Sequence, residues 1–426
     1  MILPVSATWA QDGLCIAGCH VAALAEAHGT PLYLIDEATL EQSLATIRAA
    51  LGQWPTTATV SYAAKAWLNR RLLRWLTAAG VGLDLVSEGE LRYALQAGVD
   101  GALVHLHGNN KTPAFLRLAL ASAVDCVVID HEAEIAPLER LAAAAGRRQA
   151  VWLRLNPAVA ADSHAHITTA AATSKFGLSL DDGSAERAAA RLSASTHLDW
   201  RGLHFHLGSQ MRSVAPILRA TERVLCWAAS WTARGWRFAE FSPGAGWFVP
   251  YLPDEAPLPP ADVVGGLIDC FEQAAWPAPW PRLVVEPGRE LVARAGVALY
   301  TVGAIKRAGD RQYAFVDGGL ADNPRPALYG ARYHALLANR CSEAPPQPTM
   351  IAGPFCESGD VWAAPVALPP LRVGDMLAVP MSGAYQLSMA SNYNGTPRPA
   401  VLWLREGAAT VAQQRERFES LWQRDG

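Results

Sequence analysis

The stretch Thr59-Val60-Ser61-Tyr62-Ala63-Ala64 is a short, largely apolar run that ends at a charged residue, Lys65, and is followed by sequence with helical periodicity. Short strands that alternate with helical segments are typical of βα units. Seven more such runs follow, at residues 81–86, 103–106, 126–129, 150–155, 203–207, 238–241 and 283–285. Eight βα units match a (β/α)8 barrel in number and in a length of about 250 residues. The alternative, an open doubly wound sheet, has no G-x-G-x-x-G sequence after the first strand to support it.

The segments between these runs carry helix boundary signals. Ser87 and Glu90 form an S-x-x-E pair, which predicts a capping box at the start of a helix. Gly98 is placed to end that helix, because glycine readily adopts the left-handed conformation found after many helices.

The character of the sequence changes after about residue 290. Strand-like runs at residues 292–306, 312–317, 349–352 and 400–404 are separated by joints rich in proline and glycine. Residues 410–423 predict a short C-terminal helix. This pattern predicts a second domain that is essentially all-β.

Composition excludes several classes of protein. The 426 residues are 51% hydrophobic and 18% charged, which excludes a disordered chain. A net charge of −3 makes binding to nucleic acid improbable, and no apolar run is long enough for a membrane helix. Seven scattered cysteines, without a signal-peptide pattern, predict a reducing, cytoplasmic location. Cys15 and Cys19 lack a second ligand pair at zinc-finger spacing, so no metal site is predicted.

The ends of the predicted strands supply a candidate site, because functional groups of (β/α)8 barrels lie at the carboxyl ends of the strands. Each candidate taken alone also has an ordinary structural explanation: a surface lysine, a hydrogen-bonded histidine or a tight glycine turn. The candidates are Lys65, Asp84, His107, Asn109, His206, Ser209, the loop Gly244-Ala245-Gly246, Glu286 and Arg289.

Together these residues meet the requirements of one cofactor, pyridoxal 5'-phosphate. Lys65 can supply the amine for a Schiff base. The backbone N–H groups of residues 244–246, with Ser209 and Arg289, can bind the phosphate. Glu286 can keep the pyridine nitrogen protonated, and the flat ring of His206 can stack on the cofactor.

Several motifs carry a resemblance to a known family. They are Tyr62-Ala63-Ala64-Lys65-Ala66, His107-Gly108-Asn109-Asn110-Lys111, His204-Phe205-His206-Leu207-Gly208-Ser209-Gln210, Glu286-Pro287-Gly288-Arg289, Asn323-Pro324-Arg325-Pro326-Ala327-Leu328-Tyr329, Gly353-Pro354-Phe355-Cys356-Glu357-Ser358-Gly359-Asp360 and Gly383-Ala384-Tyr385. The chain resembles the fold-type III, PLP-dependent decarboxylases, and among them the diaminopimelate decarboxylase branch.

The resemblance implies an architecture and an assembly. A PLP-binding (β/α)8 barrel of residues 35–290 would be joined by a β-sandwich-like domain of residues 1–34 and 291–426. The family forms homodimers in which each active site is completed by Cys356 and Glu357 of the other chain.

The resemblance also implies residue roles. Lys65 and Cys356 would be catalytic, with Cys356 as the acid. Arg289, Arg325, Tyr329, Glu357 and Tyr385 would bind a small amino-acid substrate. The cofactor would be held by Lys65, Asp84, His206, Ser209, Gly244, Ala245, Gly246, Glu286, Pro287, Gly288, Arg289 and Tyr385. Ala245 replaces a glycine common in the family, and we expect it to have a negative φ, since a left-handed alanine is costly.

The implied reaction is decarboxylation of meso-2,6-diaminopimelate to L-lysine and CO2. An alternative is a sister decarboxylase that acts on another amino acid, free or carrier-bound, in secondary metabolism. A racemase of the same fold is disfavoured by Glu286, because strong electron withdrawal favours decarboxylation. A non-enzymatic PLP carrier would not need the second domain or the Cys356-Glu357 segment.

Overall fold

The computed structural model describes residues 2–160 and 174–425. Two compact units are formed. The barrel unit comprises Ala45–Val249 and Pro257–Gly288, and the β unit comprises Met1–Leu44, Pro250–Ala256 and Arg289–Gly426.

The strands are β1 (Thr8–Ala10), β2 (Gly13–Ile16), β3 (Cys19–His20), β4 (Leu32–Asp36), β5 (Ala58–Ala63), β6 (Gly82–Leu85), β7 (Val104–Leu106), β8 (Cys126–Ile129), β9 (Gln149–Asn156), β10 (Leu178–Ser179), β11 (Leu198–His204), β12 (Glu240–Gly244), β13 (Arg282–Val285), β14 (Gly296–Ala308), β15 (Arg311–Val316), β16 (Leu336–Leu337), β17 (Gln347–Ala352), β18 (Val366–Leu368), β19 (Met376–Pro380), β20 (Ala400–Arg405) and β21 (Ala408–Gln413). The helices are α1 (Val21–His28), α2 (Glu37–Leu51), α3 (Arg70–Ala78), α4 (Glu88–Gln96), α5 (Pro113–Ala121), α6 (Ile135–Ala144), α7 (Ser184–Ser193), α8 (Ala215–Ala233), α9 (Pro260–Gln273), α10 (Arg289–Val292), α11 (Arg325–Tyr329) and α12 (Phe418–Leu421).

The barrel unit contains a closed ring of eight parallel strands in the order β5-β6-β7-β8-β9-β11-β12-β13. The ring closes because β13 pairs with β5 in parallel, through Leu283↔Ala58, Val284↔Thr59 and Val285↔Val60. The (β/α)8 prediction is therefore confirmed, and the open doubly wound sheet is excluded. All residues of β8 and β9 are buried, as expected for parallel strands covered on both faces.

Local signals in the sequence set the ends of the barrel helices. The Ser87 hydroxyl accepts from the Glu90 amide at 3.1 Å, which confirms Ser87 as the N-cap. Glu90 accepts in turn from the amide of Val86, one residue before the cap, at 2.6 Å. Gly98 follows the last turn of α4 with a φ of 87°, as predicted.

The β unit is built around β14, which pairs with β4, β15 and β19. Its main sheet runs β18-β17-β15-β14-β4-β20-β21. The N-terminal strand β4 lies inside this sheet, parallel to β20. Leu14, Leu34, Leu299 and Leu402 are among the fully buried residues of its core.

The predicted C-terminal helix over residues 410–423 is wrong over its first half. Residues 408–413 form β21, which pairs antiparallel with β20 after a turn at Glu406 and Gly407, where φ is positive at both residues. Pairing with a buried neighbouring strand outweighs the helix propensity of the alanines. Only Phe418–Leu421 is helical. No helix in the described residues is long and apolar enough to cross a membrane.

Gly246→Ala is expected to destabilise the protein more than Gly235→Ala. Both glycines have positive φ, at 96° and 89°, so each alanine carries a similar backbone cost of about 1–2 kcal/mol. A Cβ atom at Gly246 would lie 1.9 Å from the Gly208 carbonyl oxygen, whereas nothing lies within 4 Å at Gly235. Urea unfolding should show a further loss of roughly 1–3 kcal/mol for Gly246→Ala. Equal losses in the two variants would contradict this packing account.

Candidate active site

Lys65 lies in a short 3-10 turn, Ala64–Ala66, immediately after β5, and its side chain is exposed. The Glu286-Pro287-Gly288 turn after β13 packs against it. The Ala63 amide donates to the Pro287 carbonyl at 3.1 Å, and a Cβ atom at Gly288 would lie 3.2 Å from the Cβ atoms of Ala63 and Ala66. The predicted lysine and the predicted carboxylate therefore lie on adjoining turns at the same end of the barrel.

Glu286 is buried, with an exposed fraction of 9%. Ser242 donates to its Oε1 at 2.7 Å, and His204 Nε2 lies 3.1 Å from Oε2. Burial alone would raise the pKa of Glu286, but the imidazoles of His204 and His107 outweigh it and lower that pKa to about 2. Burial lowers the pKa of His204 itself. Its Nε2 acts as a hydrogen-bond donor, because the ionised carboxylate of Glu286 can only accept. An ionised, buried carboxylate is the group that a pyridinium nitrogen requires.

Asp84 is buried near the end of β6, with an exposed fraction of 4%. Its Oδ1 accepts from Ser61 Oγ at 2.6 Å and lies 3.3 Å from His105 Nδ1 and 3.7 Å from His107 Nε2. Burial alone would raise the pKa of Asp84, but His105 and His107 lower it well below its usual range. The second oxygen, Oδ2, is buried and has no hydrogen-bond partner in the described chain. Asp84 is thus an ionised carboxylate with one oxygen available to a bound group.

The glycine loop at the end of β12 has left-handed backbone at two of its three residues. Gly244 and Gly246 have φ values of 71° and 96°, whereas Ala245 is not among the residues with positive φ, as expected. A Cβ atom at Gly244 would lie 2.5 Å from His206 Nδ1, and one at Gly246 would lie 3.2 Å from Ser209 Cα. Only glycine allows this approach, which brings His206, Ser209 and the loop together as predicted.

His107, His204 and Glu286 place ring nitrogens and carboxylate oxygens within 4.8 Å of one another. Ser242 and His204 already contact the two oxygens of Glu286. Hydrogen bonding accounts for this cluster, and we do not assign it as a metal site.

Lys111, in the His107–Lys111 motif, has a structural position. Its Nζ donates to the carbonyls of Gly108 at 2.5 Å and Val128 at 2.7 Å and pairs with Glu134 at 3.1 Å. All three protons of the ammonium are engaged, so Lys111 is not available as a nucleophile.

The β unit holds a separate cluster of arginine and tyrosine side chains. The Tyr251 hydroxyl accepts from Arg289 Nη1 at 2.6 Å and from Arg325 Nη1 at 3.1 Å. Arg325 Nη1 also donates to the Tyr333 hydroxyl at 2.7 Å, and the Arg289 guanidinium lies 4.6 Å from the centre of the Tyr385 ring. Arg289 and Arg325 are only 5% and 7% exposed.

The charge of this cluster is unusual. No carboxylate in the described part of the chain forms an ion pair with Arg325, whose hydrogen bonds go to two tyrosines. Burial alone would raise the pKa of Tyr251, but Arg289 and Arg325 outweigh it and lower that pKa. Buried guanidinium groups are ordinarily paired with anions. The cluster is therefore suited to bind a carboxylate or phosphate.

Three other predicted residues of the β unit are not brought into this cluster by any described contact. Tyr329 is the last residue of α11 and is half-buried. Cys356 and Glu357 are exposed on a turn that the Asp360 carboxylate holds through the Phe355 amide at 3.0 Å and the Leu320 amide at 2.7 Å. In a single chain these two side chains face solvent.

Sequence reasoning missed the residues that support the predicted ones. Ser61, His105 and Ser242 lie within strands and hold Asp84 and Glu286. A polar residue inside an otherwise apolar strand was the available signal. Tyr251 and Tyr333 had no comparable signal, because no local pattern indicates that they meet Arg325.

The residues present fit the predicted cofactor. A lysine and an ionised carboxylate lie on adjoining turns, and a glycine cradle without room for Cβ atoms adjoins His206. Asp84 Oδ2 is a buried acceptor with no hydrogen-bond partner among the described residues, so it can accept from a bound group. These are the donors and acceptors that an aldehyde, a pyridine nitrogen and a phosphate group require.

Comparison with known proteins agrees with this geometry. The family described as "Pyridoxal-dependent decarboxylase, pyridoxal binding domain" matches residues 37–293. Diaminopimelate decarboxylase of Bacillus subtilis is 40% identical over 95% of this chain and 93% of its own. Its counterpart from Actinosynnema pretiosum is 41% identical over 99% of this chain and 94% of its own. The crystal structure of diaminopimelate decarboxylase from M. jannaschii with L-lysine superposes with a TM-score of 0.94 and 29% identity, over 100% of this chain and 99% of the other.

The fold, the paired lysine and carboxylate turns and the extent of these matches lead to one assignment. The chain belongs to the family of pyridoxal-dependent decarboxylases that includes the diaminopimelate decarboxylases, and it is a PLP-dependent enzyme.

Proposed function

We propose that this protein decarboxylates meso-2,6-diaminopimelate to L-lysine and CO2. The observation that carries the proposal is the buried Arg325, whose described hydrogen bonds go to the hydroxyls of Tyr251 and Tyr333 and not to a carboxylate of the described chain. Such a cluster suits a substrate with more than one carboxylate. The chain is similar over nearly its whole length to proteins named diaminopimelate decarboxylase, and this similarity supports the choice of substrate.

The roles of the barrel residues follow from their positions. Bound PLP supplies an electron sink for the charge that remains on the α-carbon when CO2 leaves. Lys65 would hold the cofactor covalently, and residues 244–246 with Ser209 would bind its phosphate. Glu286, held ionised by its neighbours, would hold the proton on the ring nitrogen, and His206 would lie along the ring.

The roles of the β-unit residues concern orientation and proton delivery. Arg325 and Tyr329 would bind the distal carboxylate, and Glu357 the distal ammonium. Arg289 and Tyr385 would contact both cofactor and substrate. Fixing the far end of the substrate orients the bond to be broken, which is worth several orders of magnitude in rate. The Cys356 thiol would deliver a proton to the α-carbon after CO2 has left.

The proposal includes a homodimer with shared active sites. Cys356 and Glu357 are exposed on a turn anchored by Asp360, as expected for side chains that act in the site of another chain. We also place the reaction in the cytoplasm, because all seven cysteines are free thiols.

Borohydride reduction of the holoenzyme is expected to attach the pyridoxyl group to Lys65. Tryptic peptides analysed by mass spectrometry identify the labelled lysine, and Lys65→Ala is the control that should remain unlabelled. Lys111 is fully engaged in hydrogen bonds and should not react. Label on Lys111 or Lys175 would overturn the proposed cofactor site.

Mixed dimers test the shared site. Cys356→Ala and Lys65→Ala should each be almost inactive, whereas their equimolar mixture should recover about a quarter of wild-type activity, since half of the dimers are mixed and each has one intact site. Each variant taken alone through the same dissociation and reassociation is the control. No recovery despite verified subunit exchange would mean that each chain builds its own site.

Arg325→Ala tests the substrate assignment. Loss of a charge-assisted pair with the distal carboxylate should lower kcat/KM for meso-diaminopimelate by about 10–100-fold, from roughly 1.5–3 kcal/mol. Lysine and ornithine lack this carboxylate, so their low kcat/KM should change little. The ratio of kcat/KM for meso-diaminopimelate to that for lysine or ornithine should therefore fall. The exposed Arg332→Ala is the matched control. A variant that loses stability but keeps its discrimination would make Arg325 a structural residue and favour a different amino-acid substrate.

A further inference from the structure

His105 lies between two carboxylates in the barrel unit. It is the middle residue of β7, and its side chain is 8% exposed. Nδ1 lies 3.3 Å from Asp84 Oδ1, and Nε2 lies 3.4 Å from Asp125 Oδ2. Each ring nitrogen therefore faces a carboxylate oxygen.

This arrangement favours a doubly protonated ring. In a neutral imidazole one nitrogen carries a proton and the other carries a lone pair, so one contact would set a lone pair against an anionic oxygen. In the imidazolium both nitrogens are donors and both contacts are attractive. The flanking carboxylates thus select the charged form at a buried position.

The charged groups around His105 lie on β6, on the residue before β8, and on β11, β12 and β13. Asp84 on β6 also faces His107, 3.7 Å from its Nε2. Asp125, before β8, pairs with Arg201 at 3.0 Å and lies 3.7 Å from Arg282. Glu240 on β12 pairs with Arg282 and accepts from Trp152 Nε1, and the Trp152 ring centre lies 4.5 Å from that of His105. Arginines therefore hold Asp125 on one side of His105, while Asp84 lies on the other.

We propose that His105 is a positioning residue that stays an imidazolium and holds Asp84 ionised and oriented in the cofactor site. The proposal rests on the proposed function in one respect, the assignment of Asp84 to that site. Ser61 donates to Asp84 Oδ1, and His105 Nδ1 lies 3.3 Å from the same oxygen. The buried Oδ2 has no hydrogen-bond partner among the described residues and is the acceptor for the bound group. Asp84 and Glu286 both face His107, and the positive charge of His105 beside Asp84 offsets part of the repulsion between the two carboxylates.

The charge states have a direct consequence for stability. Burial alone would lower the pKa of His105, but Asp125 and Asp84 outweigh it and raise the pKa to about 9. Burial would likewise raise the pKa of Asp125, but His105 and Arg201 lower it to about 2. The unfolded pKa of histidine is about 6.5. A raised folded pKa adds stability that is fully present below about pH 6.5 and is lost as the pH rises through about 9.

The first experiment uses the apoprotein, with 13C-labelled histidine rings observed by NMR. The signal missing in His105→Gln identifies His105, and it should titrate near pH 9 in the wild type. In Asp125→Asn the same signal should titrate at lower pH. Urea unfolding of the wild-type apoprotein should show a loss of stability between pH 7 and 10 that is reduced in His105→Gln. Titration of His105 at or below about pH 6.5 would overturn the proposal.

The second experiment measures cofactor affinity by equilibrium dialysis. His105→Gln should weaken PLP binding by about tenfold, and Asp84→Asn should weaken it as well. Because His105 acts through Asp84, the double variant should bind no more weakly than Asp84→Asn, whereas additive losses would contradict a positioning role. His131→Gln, at a half-exposed histidine paired with Glu134, is the matched control and should bind normally.

The two experiments separate the two proposals. The NMR titration needs neither cofactor nor substrate, so it stands or falls independently of the reaction. A titration near pH 9 with no label on Lys65 would overturn the proposed function and leave the charged state of His105 intact.

Discussion

The parallel pairing of β13 with β5 is the interaction on which the rest of the site depends. It joins the last barrel strand to the first, through Val284↔Thr59 and its neighbours. Without it the lysine turn and the Glu286 turn would lie at opposite edges of an open sheet. With it the Ala63 amide reaches the Pro287 carbonyl, and Gly288 allows the two turns to touch. Ring closure, rather than any local motif, therefore brings together the lysine and the carboxylate that we propose hold the cofactor.

The barrel unit also holds two buried carboxylates, and side chains on the strands stabilise their negative charge. Asp84 and Glu286 are buried ionised carboxylates, and burial alone disfavours their charge. Serine hydroxyls and histidine rings within the strands stabilise them by hydrogen bonds and ion pairs. The His105 ring packs against Trp152, with ring centres 4.5 Å apart and planes inclined at 55°, so this polar group lies beside a large aromatic ring. Such networks stabilise a site when every member has its partner, and they are sensitive to the loss of any one.

The features of the fold and of the candidate site that depend on local sequence pattern could be predicted from the sequence. Strand periodicity and helix caps located the eight βα units. Lys65 and Glu286 were predicted as site residues because the topology brings strand ends together. The pairing of His105 with Asp125 was not predictable, because it depends on which residues of neighbouring strands face each other. The C-terminal strand β21 was missed for a similar reason, since pairing with β20 decides its conformation.

The two units differ in whether their buried charged groups have oppositely charged neighbours in the described chain. In the barrel unit, Glu286, Asp84 and Asp125 each have a histidine or an arginine as a neighbour, so the chain itself balances these anions. In the β unit, Arg325 has only phenol oxygens as described hydrogen-bond partners. A phenol with a lowered pKa is a weak substitute for a carboxylate, because it offers one oxygen to two guanidinium groups. Arg325 therefore has no carboxylate partner among the described residues, and under the proposed function a carboxylate of the substrate supplies that partner.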